Sequence, residues 1–235
     1  MEPKQLRLFV EEESTDTEAG SSTVNELKPA SDSFRLSLEF KPTETFSAGR
    51  YATLEELAAF CQHCQRCRLR SGCRGVVFGE GNPSARIMFV GEGPGQTEDE
   101  LGRPFVGLAG QLLDRILQAA GFVREEVYIA NVVKCRPPGN RLPQPDEVAA
   151  CRPYLEEQIR LIKPAAIVCL GALATQTLLD PQARITKVRG QWFEKGGIWF
   201  LPTFHPAALL RDESKKRPVW EDFKRLRDWY RSNFS

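Results

Sequence analysis

Apolar residues run through this chain in four short, almost unbroken stretches: RIMFVGE (86–92), VYIANVV (127–133), AAIVCLG (165–171) and IWFLPTF (198–204). Each is bounded by turn or helix signals and rich in β-branched or aromatic side chains, which predicts strands. Between them the apolar positions change to a spacing of three and four. GLAGQLLDRILQAAG (107–121), DEVAACRPYLEEQIRLIK (146–163) and ALATQTLL (172–179) therefore predict helices. Strands with no polar side, alternating with helices, imply a parallel sheet covered on both faces.

Smaller signals fill in the rest. TLEELAAFCQHCQRC (53–67) has helical spacing, with Thr53 as N-cap and Glu56 three residues later closing a capping box. Pro153 is expected to kink or restart its helix, because an interior proline costs about 3 kcal/mol. KVRGQWFEKGGIWFLP (187–202) reads as a hairpin whose second arm becomes the last strand. Residues 10–50 are rich in Ser, Thr, Glu and Pro and lack sustained periodicity, so they read as a mobile tail, although SDSFRLSLEF alternates like an isolated strand.

Every polar peculiarity follows a strand. GEGPGQTED ends the first, Asn131 and KCRPP end the second, and HPAALLR ends the fourth. Ligands of open α/β sheets bind outside the carboxyl ends of the strands, so these segments are expected to line one crevice. GEGPG is not a dinucleotide fingerprint, because the third glycine is missing and Pro94 removes an amide. Its small residues instead let backbone approach a flat ligand. Taken singly, each feature has an ordinary explanation: GEGPG as a tight turn, Glu98 and Asp99 as helix-dipole partners, Phe105 as core, Asn131 as a loop cap. His205 is one of two histidines, and the proline after it fixes the imidazole. Their joint position gives the group its weight.

Composition narrows the class without choosing it. At 235 residues the chain has room for one large domain or two small ones. Residues 1–50 hold 10 acids and 6 bases, a net of −4, and the remaining residues hold 21 acids and 26 bases, a net of +5. A modestly basic body permits nucleic acid as a partner. There is no secretory signal pattern, and the longest apolar run, AAIVCLGALA, is half of what spans a bilayer. A cytoplasmic protein with no membrane contact is expected, and seven cysteines there suit metal ligands or buried thiols better than disulfides.

GEGPGQTEDELGRPFVGLAGQLLDRIL, VYIANVVKCRPPGNR and FHPAALLR together resemble the family 4 uracil-DNA glycosylases, the iron–sulfur-containing branch. The likeness runs from about Cys64 to near Arg231. It implies a three-layer α/β/α sandwich around a four-stranded, mainly parallel sheet. It also implies a monofunctional enzyme that flips uracil out of DNA and hydrolyses its glycosidic bond, leaving an abasic site in base excision repair. Asn131 matches the base-reading asparagine, and Phe105 the aromatic that stacks on the base. Glu98 matches the acid that crowds the C5 edge against thymine. His205 matches the histidine that hydrogen-bonds uracil O2 as charge builds there. Gly91, Glu92 and Gly93 bring backbone close to the base. Family 1 enzymes carry a water-positioning aspartate where this chain has Gly93, which leaves Glu92 as the nearest carboxylate. Leu209 matches the wedge that fills the hole left by the flipped base.

The same resemblance implies a 4Fe-4S cluster on Cys64, Cys67, Cys135 and Cys151, with Arg136 and Arg141 in the intervening loop for phosphate contact. Thiolate-only ligation suits zinc as well, Cys61 offers a second frame with Cys64, and His63 is a further donor. Cys73 and Cys169 read as spare or buried thiols. The partner expected is uracil-containing DNA, with the protein a monomer associated with a bacterial nucleoid. Rival readings are a non-catalytic iron–sulfur DNA-binding or electron-transfer protein and a glycosylase for another deaminated base. The domain organisation expected is an acidic tail over residues 1–50 and a glycosylase domain over 51–235. QLRLF in that tail resembles the pentapeptide by which bacterial DNA-metabolism proteins dock on the sliding clamp, through Gln5, Leu6, Leu8 and Phe9.

Overall fold

The structure, a computed structural model, describes residue 49 and residues 51–234. The expected tail, including SDSFRLSLEF and the QLRLF peptide, lies outside the described residues. The elements follow in chain order: α1 Leu54–Gln62, α2 Leu69–Gly72, β1 Glu80–Gly81, β2 Ile87–Gly91, α3 Gln96–Leu101, α4 Leu108–Ala119 and β3 Tyr128–Asn131. Then come α5 Pro145–Ile162, β4 Ala166–Leu170, α6 Ala172–Leu178, α7 Ile185–Val188, β5 Phe193–Lys195, β6 Ile198–Thr203, α8 Pro206–Arg211 and α9 Lys216–Phe234.

The strands form one sheet in the order β1-β3-β2-β4-β6-β5. The four apolar stretches of the sequence are its parallel centre, paired Phe89 with Ile129, Phe89 with Val168 and Val168 with Leu201. Every residue of β2, β3 and β4 is buried, as helices on both faces require. The sheet has six strands among the described residues, not four. Glu80–Gly81 and Phe193–Lys195 add antiparallel edges, and the former is too short and too polar to announce itself by apolar content. The expected hairpin is present as β5–β6.

Two helix expectations need correction. α1 begins at Thr53, whose Oγ1 accepts from Glu56 N at 3.2 Å, but it stops at Gln62, so Cys64 and Cys67 lie beyond it. The amides of His63 and Cys64 bond back to Phe60 and Cys61, closing the last turn and redirecting the chain. α5 runs as a single helix through Pro153, which is buried with Tyr154, Leu155 and Gln158 against the body of the protein. Tertiary packing there outweighs the lost helical hydrogen bond. The sequence reading also missed α9. Its Val219, Trp220, Phe223 and Leu226 share a buried stripe, and Phe223 stacks on Phe89 at 6.0 Å between ring centroids.

β2 has β3 on one side and β4 on the other, so the chain leaves it in opposite directions. That is a topological switch point, with a crevice at the carboxyl ends of the strands. Gly91, Asn131, Leu170 and Thr203 stand at those ends.

Candidate active site

A cavity of about 520 Å³ opens at the switch point, within the size range of small-ligand sites. It is lined by Glu92, Gly93, Glu98, Phe105, Asn131 and His205, so six of the seven residues expected to hold a base converge. The seventh, Gly91, stands behind them. A Cβ there would come within 2.5 Å of both Asn131 Oδ1 and the Phe105 ring, so only glycine lets those two side chains meet at the strand end.

Asn131 is 1% exposed, and its Oδ1 has no hydrogen-bond partner within the protein. A buried amide oxygen left unpaired is costly unless a ligand supplies the donor. Phe105 forms the neighbouring wall at φ +51°, a left-handed conformation uncommon for a bulky side chain. Glu98 holds that turn in place. Its Oε1 accepts from Val106 N at 2.9 Å and Gly107 N at 2.7 Å, and its Oε2 accepts from Gly95 N at 3.1 Å. One carboxylate therefore ties the GEGPG turn to the Phe105 turn, a positioning task the sequence did not disclose.

His205 caps α8. Its Nδ1 accepts from Ala207 N at 3.1 Å, which leaves Nε2 as the N–H donor. Its ring lies 5.5 Å from Phe105 by centroids. Half-open to the cavity but otherwise enclosed, the imidazole is pushed down to a pKa of about 4, chiefly by burial, with Arg211 adding to the shift. Glu92 shifts the other way: burial raises its carboxyl, and Arg211 partly offsets this. Arg211 is a cavity residue at the end of HPAALLR that the sequence reading placed at the crevice without giving it a role. Helical spacing agrees with that place, because Ala207 and Arg211 lie four apart on one face.

The same geometry does not bring the expected wedge residue to the cavity. Leu209 sits two residues from Ala207, on the opposite side of α8, and is 0% exposed in the core. The loop after β3 contributes Pro137, from the KCRPP segment expected at the crevice, and also Asn140, Arg141 and Leu142. Arg141 is a poor phosphate ligand as it stands, since its guanidinium grips Glu147 at 2.7 and 2.9 Å. Arg136 donates from Nε to Asn140 Oδ1 at 2.8 Å.

A second cavity brings together Cys64, Cys67, Cys135 and Cys151, as expected, and Cys61 as well. Lys134 N donates to Cys151 Sγ at 3.2 Å, and the amides of Leu69 and Arg70 point at Cys67. Burial raises the Cys61, Cys67, Cys135 and Cys151 thiols, Cys151 to about 11. Such groups deprotonate only against compensating positive charge. Lys134 supplies some of it: its buried Nζ donates to Asn131 O at 2.8 Å and Gln158 Oε1 at 2.5 Å. Among the described residues no His, Cys, Asp and Glu groups converge at single-ion distance. Cys169 is a core thiol of β4, and Cys73 lies beside Cys135 outside the cavity lining.

Glu147, fully buried at the start of α5, braces both cavities. Besides Arg141 it accepts from Arg68 Nε at 2.8 Å, next to Cys67, and from Gln144 N at 2.8 Å. These partners hold its carboxyl near 2.

The family model described as the Uracil DNA glycosylase superfamily matches residues 78–224, and the chain belongs to that superfamily. Within it the chain is a member of the type-4 group. It is 48% identical over 186 residues to the type-4 uracil-DNA glycosylase of Thermotoga maritima, covering 77% of this chain and 96% of that one. It is 44% identical over 185 residues to the type-4 enzyme of Sulfurisphaera tokodaii, covering 75% and 84%. A type-5 uracil-DNA glycosylase of Pyrobaculum aerophilum is 32% identical over 146 residues, covering 55% and 64%.

A pH prediction follows from the imidazole. Because the folded protein disfavours the charged ring, the unfolded chain binds the proton more readily. His205 therefore stabilises the fold fully above its ordinary value of 6.5, and that contribution falls as pH drops from 6.5 through about 4. NMR titration of the ring is expected to show a neutral Nε2–H form at pH 6 and a midpoint near 4; a midpoint near 6.5 would contradict the enclosed geometry.

Proposed function

We propose that the chain excises uracil from DNA by hydrolysing the N-glycosidic bond, in base excision repair. The observation that carries this reading is the unpaired Oδ1 of Asn131, set beside the Phe105 ring and the Nε2–H of a neutral His205. A uracil turned out of the helix offers N3–H to that oxygen, whereas cytosine offers an acceptor there. Phe105 stacks on the base, and Glu98 walls the C5 edge as part of its amide-bound turn.

As the bond from C1′ to N1 breaks, its electron pair passes to uracil and charge builds on O2. His205 Nε2–H stabilises that charge as a fixed dipole, which requires no proton transfer to the base. A donor of this kind is worth roughly 3–4 kcal/mol. Backbone around Glu92 and Gly93 supports the same charge. A water oxygen adds to C1′ and its proton passes by way of solvent to the departing uracil anion, with Glu92 the carboxylate that orients that water and Arg211 partly offsetting the burial that raises it. Lys134 is buried on Asn131 O and Gln158, away from the sugar, which agrees with bond hydrolysis without strand cleavage. A DNA-binding or electron-transfer protein without catalysis has no need of an orphan amide facing a neutral imidazole.

The second cavity fits an iron–sulfur cluster on Cys64, Cys67, Cys135 and Cys151. Four thiols lining one cavity, with N–H donors to Cys67 and Cys151 and a buried cation beside them, suit a cluster that takes one thiolate per iron. When bound, the cluster supplies cross-linking between the segment before α2 and the loop before α5, not chemistry at the scissile bond. The acidic tail of residues 1–50 carries Gln5, Leu6, Leu8 and Phe9 as a docking peptide for a sliding clamp, tethering the glycosylase domain of residues 51–235.

Three outcomes are expected. In single-turnover assays on U:G and U:A duplexes and single-stranded uracil, Asn131→Ala and His205→Ala each slow excision roughly 100- to 1,000-fold, the usual loss for such donors, with duplex binding little changed; near-normal rates remove both from the pocket. Purified protein is brown with iron and acid-labile sulfide in equal amounts, and Cys135→Ala or Cys67→Ala bleaches and destabilises it while Cys61→Ala does not; stoichiometric zinc in a colourless protein refutes the cluster. A peptide of residues 1–15 binds a bacterial sliding clamp in the micromolar range typical of short linear motifs, and Leu8→Ala with Phe9→Ala abolishes it; absence of binding ends the docking proposal.

A further inference from the structure

With Leu209 in the core, the hole left by an everted base has no filler on α8 where one was expected. The loop after β3 presents an alternative. Leu142 lines the cavity, and at 64% exposure it is the most exposed large apolar side chain that does so. An isolated surface leucine means little by itself. This one differs in its support. Its own carbonyl accepts from Arg141 Nη1 at 2.9 Å, and the same guanidinium is fixed on the fully buried Glu147. Asn140, at φ +56°, turns the chain just before it, and Pro143 stiffens the chain just after. The result is a bare apolar tip on a braced loop, beside the cavity that receives the base.

We infer that Leu142 enters the base stack when uracil is turned out, filling the vacated space and opposing the base's return. A leucine held this way loses little conformational freedom on insertion, and its burial between bases gains what its exposure in the free protein forgoes. A single strand has no partnered stack to refill, so Leu142 matters far less there. Leu210, 41% exposed on α8 but not lining the cavity, is the natural comparison.

The test measures single-turnover excision by the full-length chain from one uracil-containing strand, alone and paired in a duplex. Leu142→Ala is expected to lower the duplex-to-single-strand rate ratio about tenfold or more, the scale of losing a buried leucine's contribution to the reacting state. Leu142→Met restores most of the ratio, and Leu210→Ala leaves it where it was. The inference rests on uracil entering this cavity, and wild-type protein that excises uracil from neither substrate overturns that reading and the plug together. Wild-type activity with an unchanged ratio in Leu142→Ala overturns the plug alone, as does an equal drop in Leu210→Ala.

Discussion

The carboxylate of Glu147 is where the architecture of both cavities is decided. A buried charge is tolerated only when paired and hydrogen-bonded, and this one takes Arg68, Arg141 and the Gln144 amide at once. Arg68 adjoins Cys67, 79 residues away in sequence. Arg141 belongs to the loop that walls the base cavity, and Glu147 lies one helical turn before Cys151. Satisfying a single carboxylate thus sets the approach of three thiol-bearing segments and the shape of the cavity rim. The bidentate geometry matters, because lysine at position 141 would supply charge without fixing the direction of the loop.

The base cavity is built on the same plan, with local strain held by polar bonds. Phe105 keeps its left-handed backbone because three amides around it and in the facing turn converge on Glu98. His205 keeps one tautomer because Ala207 N occupies Nδ1. Gly171, at φ +95°, clears room beside the imidazole, where a Cβ would lie 3.0 Å from that of His205. The reactive groups are therefore preset before any base arrives, which is what electrostatic stabilisation of a developing anion demands.

Much of this could be read in the chain. The parallel centre of the sheet was legible because buried strands are apolar on both faces, and the meeting of Glu92, Glu98, Phe105, Asn131 and His205 followed from strand ends sharing one edge. Four kinds of information were not legible. β1 is set by its pairing partner, not by composition. Pro153 stays helical because packing around Tyr154 and Gln158 overrides a local penalty. Leu209 was assigned by motif position, while the facing of a six-residue helix decides exposure: Ala207 and Arg211 turn to the cavity and Leu209 turns away. The bonds of Glu98 and Glu147 also lie beyond sequence reading, because a carboxylate's partners are backbone amides and arginines brought in by the fold.

The two added strands have a consequence outside catalysis. A sheet's edge is a row of unpaired backbone groups on which another extended chain can grow, and long flat edges invite aggregation. Among the described residues the parallel centre ends in a two-residue strand on one side and a three-residue strand on the other, the latter carrying Glu194 and Lys195. An incoming strand finds at most three residues of ladder before the chain turns away. The ends of the sheet are blunted by length and charge, so the apolar strands that make the fold are kept from serving as a template for strand addition.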